Sequence, residues 1–224
     1  TITDNTNFPI IIEDGKVFDG NNCTITYKGT TEWVGLFEAA DNSRFTVQNV
    51  TFDLHGNDLA NAAGCITSNN FDTIDKTNDI VIFNADDCSW TIHNCHSKST
   101  NSTNSKQITE SGGGLCGQGI GGGSGSAKVI ITNCTNELDI GTRAGGICGQ
   151  YASNYEIMYC SNYGDIVGDF AGGICGAISY GGTIEYCWNK GVIGGDSNGN
   201  SNGGSGGICG LRAGENHTLV ISYC

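Results

Sequence analysis

Short apolar stretches bounded by glycine and asparagine recur along the chain in a fixed order. In residues 171–194, AGGICGAISYGGTIEYCWNKGVIG, a Gly-Gly-Ile-Cys-Gly segment precedes Ile-x-Tyr-Cys-x-Asn, which precedes Gly-x-Ile-Gly. The same three parts stand upstream at 145–149, 157–162 and 164–168, and begin again at Gly206. Self-similarity on this scale marks repeat architectures, whose units bury an apolar face only by stacking on neighbours.

Two registers can be followed through the chain. The first runs Gly35-Leu36-Phe37, Gly64-Cys65-Ile66, Gly114-Leu115-Cys116, Gly146-Ile147-Cys148, Gly173-Ile174-Cys175 and Gly207-Ile208-Cys209. The second runs Val47–Val50, Ile92–Cys95, Ile131–Cys134, Ile157–Cys160, Ile184–Cys187 and Ile221–Cys224. In the second, the first position is always Val or Ile and the next is Gln, His, Thr, Met, Glu or Ser, as expected where side chains alternate between core and solvent. The third part supplies Ile140, Ile166 and Ile193.

Three short strands per unit, with a shortest period of 27 residues from Cys148 to Cys175, describe one coil of a parallel β-helix. The chain is therefore expected to be all-β, a solenoid of about seven coils stacked at roughly 4.8 Å. Residues 1–30, with an Asp19-Gly20-Asn21-Asn22 turn before alternating β-branched positions, are expected to form an opening cap. Residues 31–224 then form one continuous array. Four polar stretches interrupt it, at 67–79, 97–111, 118–127 and 195–205, and are expected to protrude at turns, where recognition would sit.

Composition sharpens this picture. The 36 glycines and single proline among 224 residues suit many short strands and tight turns. Ten basic residues against 23 acidic ones give a net charge of −13, and the three arginines, Arg44, Arg143 and Arg212, are far apart, which argues against nucleic acid as a partner. No apolar run is long enough for a membrane span. The chain opens at Thr1 and stops at Cys224 inside a repeat, as expected of a piece of a longer chain.

The 12 cysteines include no Cys-x-x-Cys pair. The slot of Cys116, Cys148, Cys175 and Cys209 holds Phe37 and Ile66 in earlier units, and the slot of Cys134 and Cys160 holds Val50, so these cysteines read as small core hydrophobes. Disulfides between coils are the alternative, although a relaxed bridge wants Cβ atoms closer than the ladder spacing. Cys23 and Cys88 lie outside both slots and are the more natural exceptions.

Residues 86–96 hold the densest chemistry. His93 and Cys95, two apart, would share a face of a regular strand, and Cys88 and His96 would complete a four-ligand zinc set. Against this, Cys95 occupies the core slot and His93 the outward one. Carboxylates suited to acid–base work or Ca²⁺ are Asp53, Asp86, Asp87, Asp139, Asp165 and Glu185, with Asp139 and Asp165 at equivalent positions of consecutive coils. Asn136, Asn162 and Asn189 each follow a Cys by two residues and are expected to stack as an amide ladder. The paired glycines read as turn residues. Of the Asn-x-Ser/Thr triplets, Asn101, in a polar insertion, is the credible glycosylation acceptor.

The cycle Gly172–Gly176, Gly182–Asn189 and Gly191–Gly194 resembles the GLUG-type repeat, and Gly35-Leu36-Phe37 preserves its Leu form. The segment Phe18–Ile25 resembles the start of pectin-lyase-like right-handed β-helices. The resemblance spans about residues 18–224 and implies a right-handed, single-stranded parallel β-helix of the kind found in adhesins and giant-virus repeat proteins. This chain departs from the repeat by placing Cys where Val or Ala is usual. The catalytic signatures of β-helix polysaccharide enzymes do not appear in it.

The expectation is a non-catalytic structural or adhesive module of an extracellular, cell-surface or virion-surface fibre. It would bind a glycan or a host or surface protein through its insertions, with homo-oligomers or end-to-end stacking covering its open edges. No cofactor is expected, Ca²⁺ being the one cation considered. The alternative is a carbohydrate-active enzyme, a polysaccharide lyase or hydrolase, for which paired carboxylates along a groove would be the mark.

Overall fold

The computed structural model describes residues 1–39, 42–68, 71–75, 80–83, 88–101, 107–122, 127–194, 204–214 and 217–224. Among these the fold is all-β and without helix, so no helix is long and apolar enough to cross a membrane. The strands are β1 (Ile10–Ile12), β2 (Val17–Thr26), β3 (Phe37–Ala39), β4 (Arg44–Asp53), β5 (Phe71–Asp75), β6 (Ile80–Phe83), β7 (Ser89–Lys98), β8 (Val129–Thr132), β9 (Thr135–Asn136), β10 (Tyr155–Met158), β11 (Ser161–Asn162), β12 (Gly182–Glu185), β13 (Trp188–Asn189) and β14 (Leu219–Ser222).

Ten of these make one open, parallel sheet. It runs β2–β4–β7, and β7 then pairs with both β8 and β9, which continue as β8–β10–β12–β14 and β9–β11–β13. Register is like on like: Ile157 lies between Ile131 and Ile184, and Asn162 between Asn136 and Asn189. The other two parts of each unit pair by single parallel bridges, Cys116–Cys148–Cys175–Cys209 and Ile108–Ile140–Ile166–Ile193. Their glycine-rich flanks turn too soon for a longer strand. Residues 67–79 were expected only to protrude as a polar stretch, but β5 within them pairs antiparallel with β6.

The core follows the ladders. Toward the N-terminal end it is aromatic, with Trp33 packed on Phe8, Tyr27 and Phe52, and Phe45 on Trp90. Further along, Ile, Cys and Gly replace the rings, and Ile147, Ile157, Ile166 and Ile174 are fully buried. Glycine at 145 is set by close approach: a Cβ there would run into the carbonyl of Cys148 and the amide of Gly176, and its φ is not positive.

Two placements differ from the sequence register. Phe37 bridges Thr67, not Ile66; the Ile66 and Thr67 amides both donate to Leu115 O, as those of Leu115 and Cys116 donate to Ile147 O. The unit is thus shifted by one residue, and Cys65 falls at the level of Gly114. Cys23 pairs with Val50 and so belongs to the second ladder after all. Asp19 and Cys23 pair with Gln48 and Val50, so two extra residues between them displace Cys23 from the spacing of the later units.

Each central strand carries a bend that explains its cysteine. Asn49, Asn94, Asn133, Tyr159, Tyr186 and Tyr223 all have φ between 49° and 55°. A left-handed residue interrupts the alternation, so Val47 and Val50, three apart, both point inward. It also leaves the next amide without a ladder carbonyl. Cys95, Cys160 and Cys187 N–H donate instead to Sγ of Cys134, Cys187 and Cys224, each at 3.4 Å. Each sulfur in turn faces the carbonyl two residues before it, as Cys160 Sγ does Met158 O at 3.3 Å. Cysteine is both small and apolar enough for this core and a weak hydrogen-bonding group. None of the twelve is in a disulfide, and burial pushes the thiols of Cys134, Cys148 and Cys175 well up, so they stay protonated and inert.

The asparagine ladder is present. Asn136 Nδ2 donates to Asn162 Oδ1 at 2.7 Å and Asn162 Nδ2 to Asn189 Oδ1 at 2.6 Å, while each also donates to the carbonyl two residues on. Replacing Asn162 by Ala strands the Asn136 amide and the Gly164 carbonyl, so chemical denaturation should show a loss of about 2–4 kcal/mol. Cys187→Val keeps the slot apolar, as Val50 does in an earlier unit, but removes the acceptor for Cys160 N–H. It should cost about 1 kcal/mol, where a packing role alone would make it neutral.

Candidate functional site

Counting three residues back from Val47, Ile92 and Ile131 reaches Arg44, Ser89 and Lys128, side by side at the start of β4, β7 and just before β8. Gly15 precedes them in the same line, its amide donating to Arg44 O at 2.8 Å. The neighbouring outward line is Val17–Thr46–Thr91–Ile130. With Lys16 and the edge of Phe45 these residues line an open groove of about 320 Å³. Phe45 and Trp90 point inward and are nearly fully buried, which forces their neighbours Arg44, Thr46, Ser89 and Thr91 outward.

Three cations line the groove and, among the described residues, no carboxylate does, although Glu156 stands next to Ile130 on the following strand. Arg44 makes no ion pair among the described residues; Asp14 Oδ1 holds its backbone N–H at 2.8 Å. Lys16 Nζ lies 4.0 Å from Glu13, and Lys128 Nζ lies 2.8 Å from Glu156 Oε1. Both pairs are solvent-exposed and worth at most about 1 kcal/mol each, so neither withholds its cation from a ligand. The stretch 118–127, expected to protrude, instead packs into the stack where it is described: Gln118 and Ile120 are buried, and Ile120 O accepts Ser153 N–H at 3.0 Å.

The proposed zinc residues are spread out. Asn94, left-handed at φ 49°, separates His93 on the outside from Cys95 in the core. His93 Nδ1 is 2.7 Å from Thr132 Oγ1, Cys88 is buried near Ser43 at the far end of the strand, and His96 Nε2 is 3.2 Å from Glu137 Oε1 without hydrogen-bond alignment. Burial lowers the His96 pKa against the pull of Glu137, leaving the ring neutral at pH 7. Among the described residues no three His, Cys, Asp or Glu side chains converge as a metal set.

Asp139 and Asp165 do stack, but each has one oxygen committed to backbone. Asp139 Oδ1 accepts Asp165 N–H at 2.9 Å, and Asp165 Oδ1 accepts Val192 N–H at 2.8 Å. Burial, with the charge of Asp165 beside it, holds Asp139 above its usual range, opposite to a carboxylate tuned for a cation. Glu185 accepts the Ser222 hydroxyl at 3.0 Å. Asp86 and Asp87 lie outside the described residues.

A second polar cluster joins Asp53, a carboxylate candidate at the end of β4, to His55 and to Thr100 and Asn101 of a turn one unit on, a grouping that sequence spacing does not announce. Buried Asp53 accepts Thr100 N–H at 2.8 Å, Thr100 Oγ1 at 2.7 Å and His55 N–H at 2.9 Å. His55 Nδ1 is 3.1 Å from Thr100 Oγ1, and its Nε2 is 3.2 Å from Asn101 Nδ2. Thr100 gives its proton to Asp53, so it has none to pass to His55, and the cluster acts as a clamp on the turn. The glycosylation candidate Asn101 is exposed, but its amide rests on the His55 ring.

No family model matches the chain, and neither a curated protein nor a solved structure is similar to it.

Burial works to raise the Asp53 pKa, but the hydrogen bonds from Thr100 and His55, aided by Lys98, outweigh it and hold the carboxyl below its ordinary value. Its contribution is therefore present at neutral pH and lost as pH falls through the folded value. Asp53→Asn should destabilise by about 1–3 kcal/mol at pH 7, measured by urea unfolding, and the difference should shrink below about pH 4.

Proposed function

We propose that this chain is a non-catalytic structural or adhesive module, built as a right-handed parallel β-helix of the GLUG-type and displayed outside the cell or on a virion surface. Three lines of parallel pairing in every unit, in the same order each time, support the closed coil. The observation that carries the functional reading is where the reactive side chains are spent. Asp139, Asp165, Asn136, Asn162 and the buried cysteines hold one unit to the next, while the groove that remains open offers cations and hydroxyls without a carboxylate. A hydrolase or lyase would need an acid or base within reach of the bound sugar.

The module meets its partner, a glycan or a surface protein, along the open groove over β2, β4, β7 and β8. Its exposed edge strands favour lateral or end-to-end association with like units. Antibodies raised against this chain should label intact cells or virions of the source, and mass spectrometry of the isolated surface or particle should recover it. Recovery only from the cytosol would overturn the reading. Incubation with neutral and acidic polysaccharides should release no new reducing ends or unsaturated products.

A further inference from the structure

We propose that the groove over β2, β4, β7 and β8 binds an acidic sugar, a glycan unit bearing one carboxylate or one sulfate. This rests on the non-catalytic display reading and adds the chemical class of its ligand. The chain has only 10 Lys and Arg against 23 Asp and Glu, yet three of the ten, Lys16, Arg44 and Lys128, line this one groove. They are far apart in sequence and are brought together by the register, which repeats one position across successive units.

The lining suits a sugar better than a bare ion. Arg44 and Lys128 stand two strands apart, roughly 10 Å along the stack, so a ring can lie between them with its acidic group on either. Arg44, in no ion pair among the described residues, is the natural bidentate partner for a carboxylate or sulfate. Thr46, Ser89 and Thr91 offer hydroxyls along its middle, and Val17 and Ile130, at the two ends of the line, give apolar surface for the C–H face of a ring at either end. Val17 is 64% exposed, so its end is open to a ligand.

The surroundings also limit the charge the groove accepts. Glu13, Asp14 and Glu156 flank the three cations, and the chain as a whole is at −13. A long polyanion leaving the groove would run onto a repelling surface, whereas a single acidic group gains from the local field.

The test is calorimetric titration of the 224-residue chain at low ionic strength. The probes are a glucuronic-acid disaccharide, a sulfated disaccharide, their neutral counterpart, inorganic sulfate and an oligothymidylate. At least one acidic disaccharide should bind about tenfold tighter than the neutral one, and the better of the two identifies the acidic group. Arg44→Gln and Lys128→Gln should each weaken binding about fivefold or more at unchanged melting temperature. Glu156→Gln, which releases Lys128, should tighten it, and Lys190→Gln, away from the groove, should change nothing. Equal binding of the neutral sugar, equal binding of inorganic sulfate, tighter binding of the oligothymidylate, or indifference to both cation variants would overturn the proposal. Mass spectrometry of the recovered disaccharide separates the two readings. Cleaved sugar would sink the non-catalytic role and leave the groove standing, while intact sugar without binding would sink only the groove.

Discussion

Each unit of this chain takes its backbone hydrogen-bond partners from the unit one period away, in parallel and in register. Whatever side chain occupies a slot therefore has its own equivalent as a neighbour, at the strand spacing of about 4.8 Å. Only some residues tolerate that. Isoleucines pack on isoleucines, and asparagine amides donate to asparagine carbonyls at 2.6–2.7 Å. Like charges do not, which is why Asp139 must pass an oxygen to the Asp165 amide and still has its acidity weakened by burial and its neighbour.

The left-handed residue before each cysteine is the second constraint. Asparagine tolerates that conformation at little cost, and it fills the slot at 49, 94 and 133. From Tyr159 onward tyrosine replaces it, at roughly 1–2 kcal/mol of backbone cost per residue. Stacking offsets it: Tyr159 lies 5.0 Å from Tyr186 and Tyr186 4.8 Å from Tyr223, with interplanar angles of 9° and 4°. Aromatic pairs contribute about 0.5–1.5 kcal/mol each beyond burial. The rings spend their faces on one another, so the row is a brace along the surface more than a platform for a flat ligand.

Register was legible in the sequence wherever the unit is short. Between Cys148 and Cys187 the spacing is nearly constant, and Ile, Cys and Asn positions can be matched without error. Where bulky residues fill the core the spacing drifts, and the unit around Cys65 was matched one residue early because Cys and Ile there mimic the later Leu-Cys pair. Strand parity alone puts His93 and Cys95 on one face, whereas the repeat register puts them on opposite ones; the positive φ of Asn94 is the physical reason the register holds. The groove was missed for a different reason. Charge clustering was sought along the chain, whereas a solenoid-like register clusters residues one period apart, so Arg44 and Lys128 become neighbours but for Ser89 between them.

This has a consequence for how such a chain varies. A core slot is tied to its equivalents on both sides, so changing one residue there disturbs two interfaces. An outward slot accepts unlike residues: the line Gly15–Arg44–Ser89–Lys128 holds four, and Asp19–Gln48–His93–Thr132 another four, joined by single polar contacts such as Gln48 to Asp19 and His93 to Thr132. Binding chemistry can therefore change on the outer lines at less cost to the stack than a change in the core. A surface at −13 net charge keeps that freedom selective, since isolated cations on it would be neutralised by nearby carboxylates, as Lys128 partly is by Glu156. Where the register gathers cations from different units, with Arg44 in no ion pair among the described residues and Lys128 two strands away, they come within reach of one ligand.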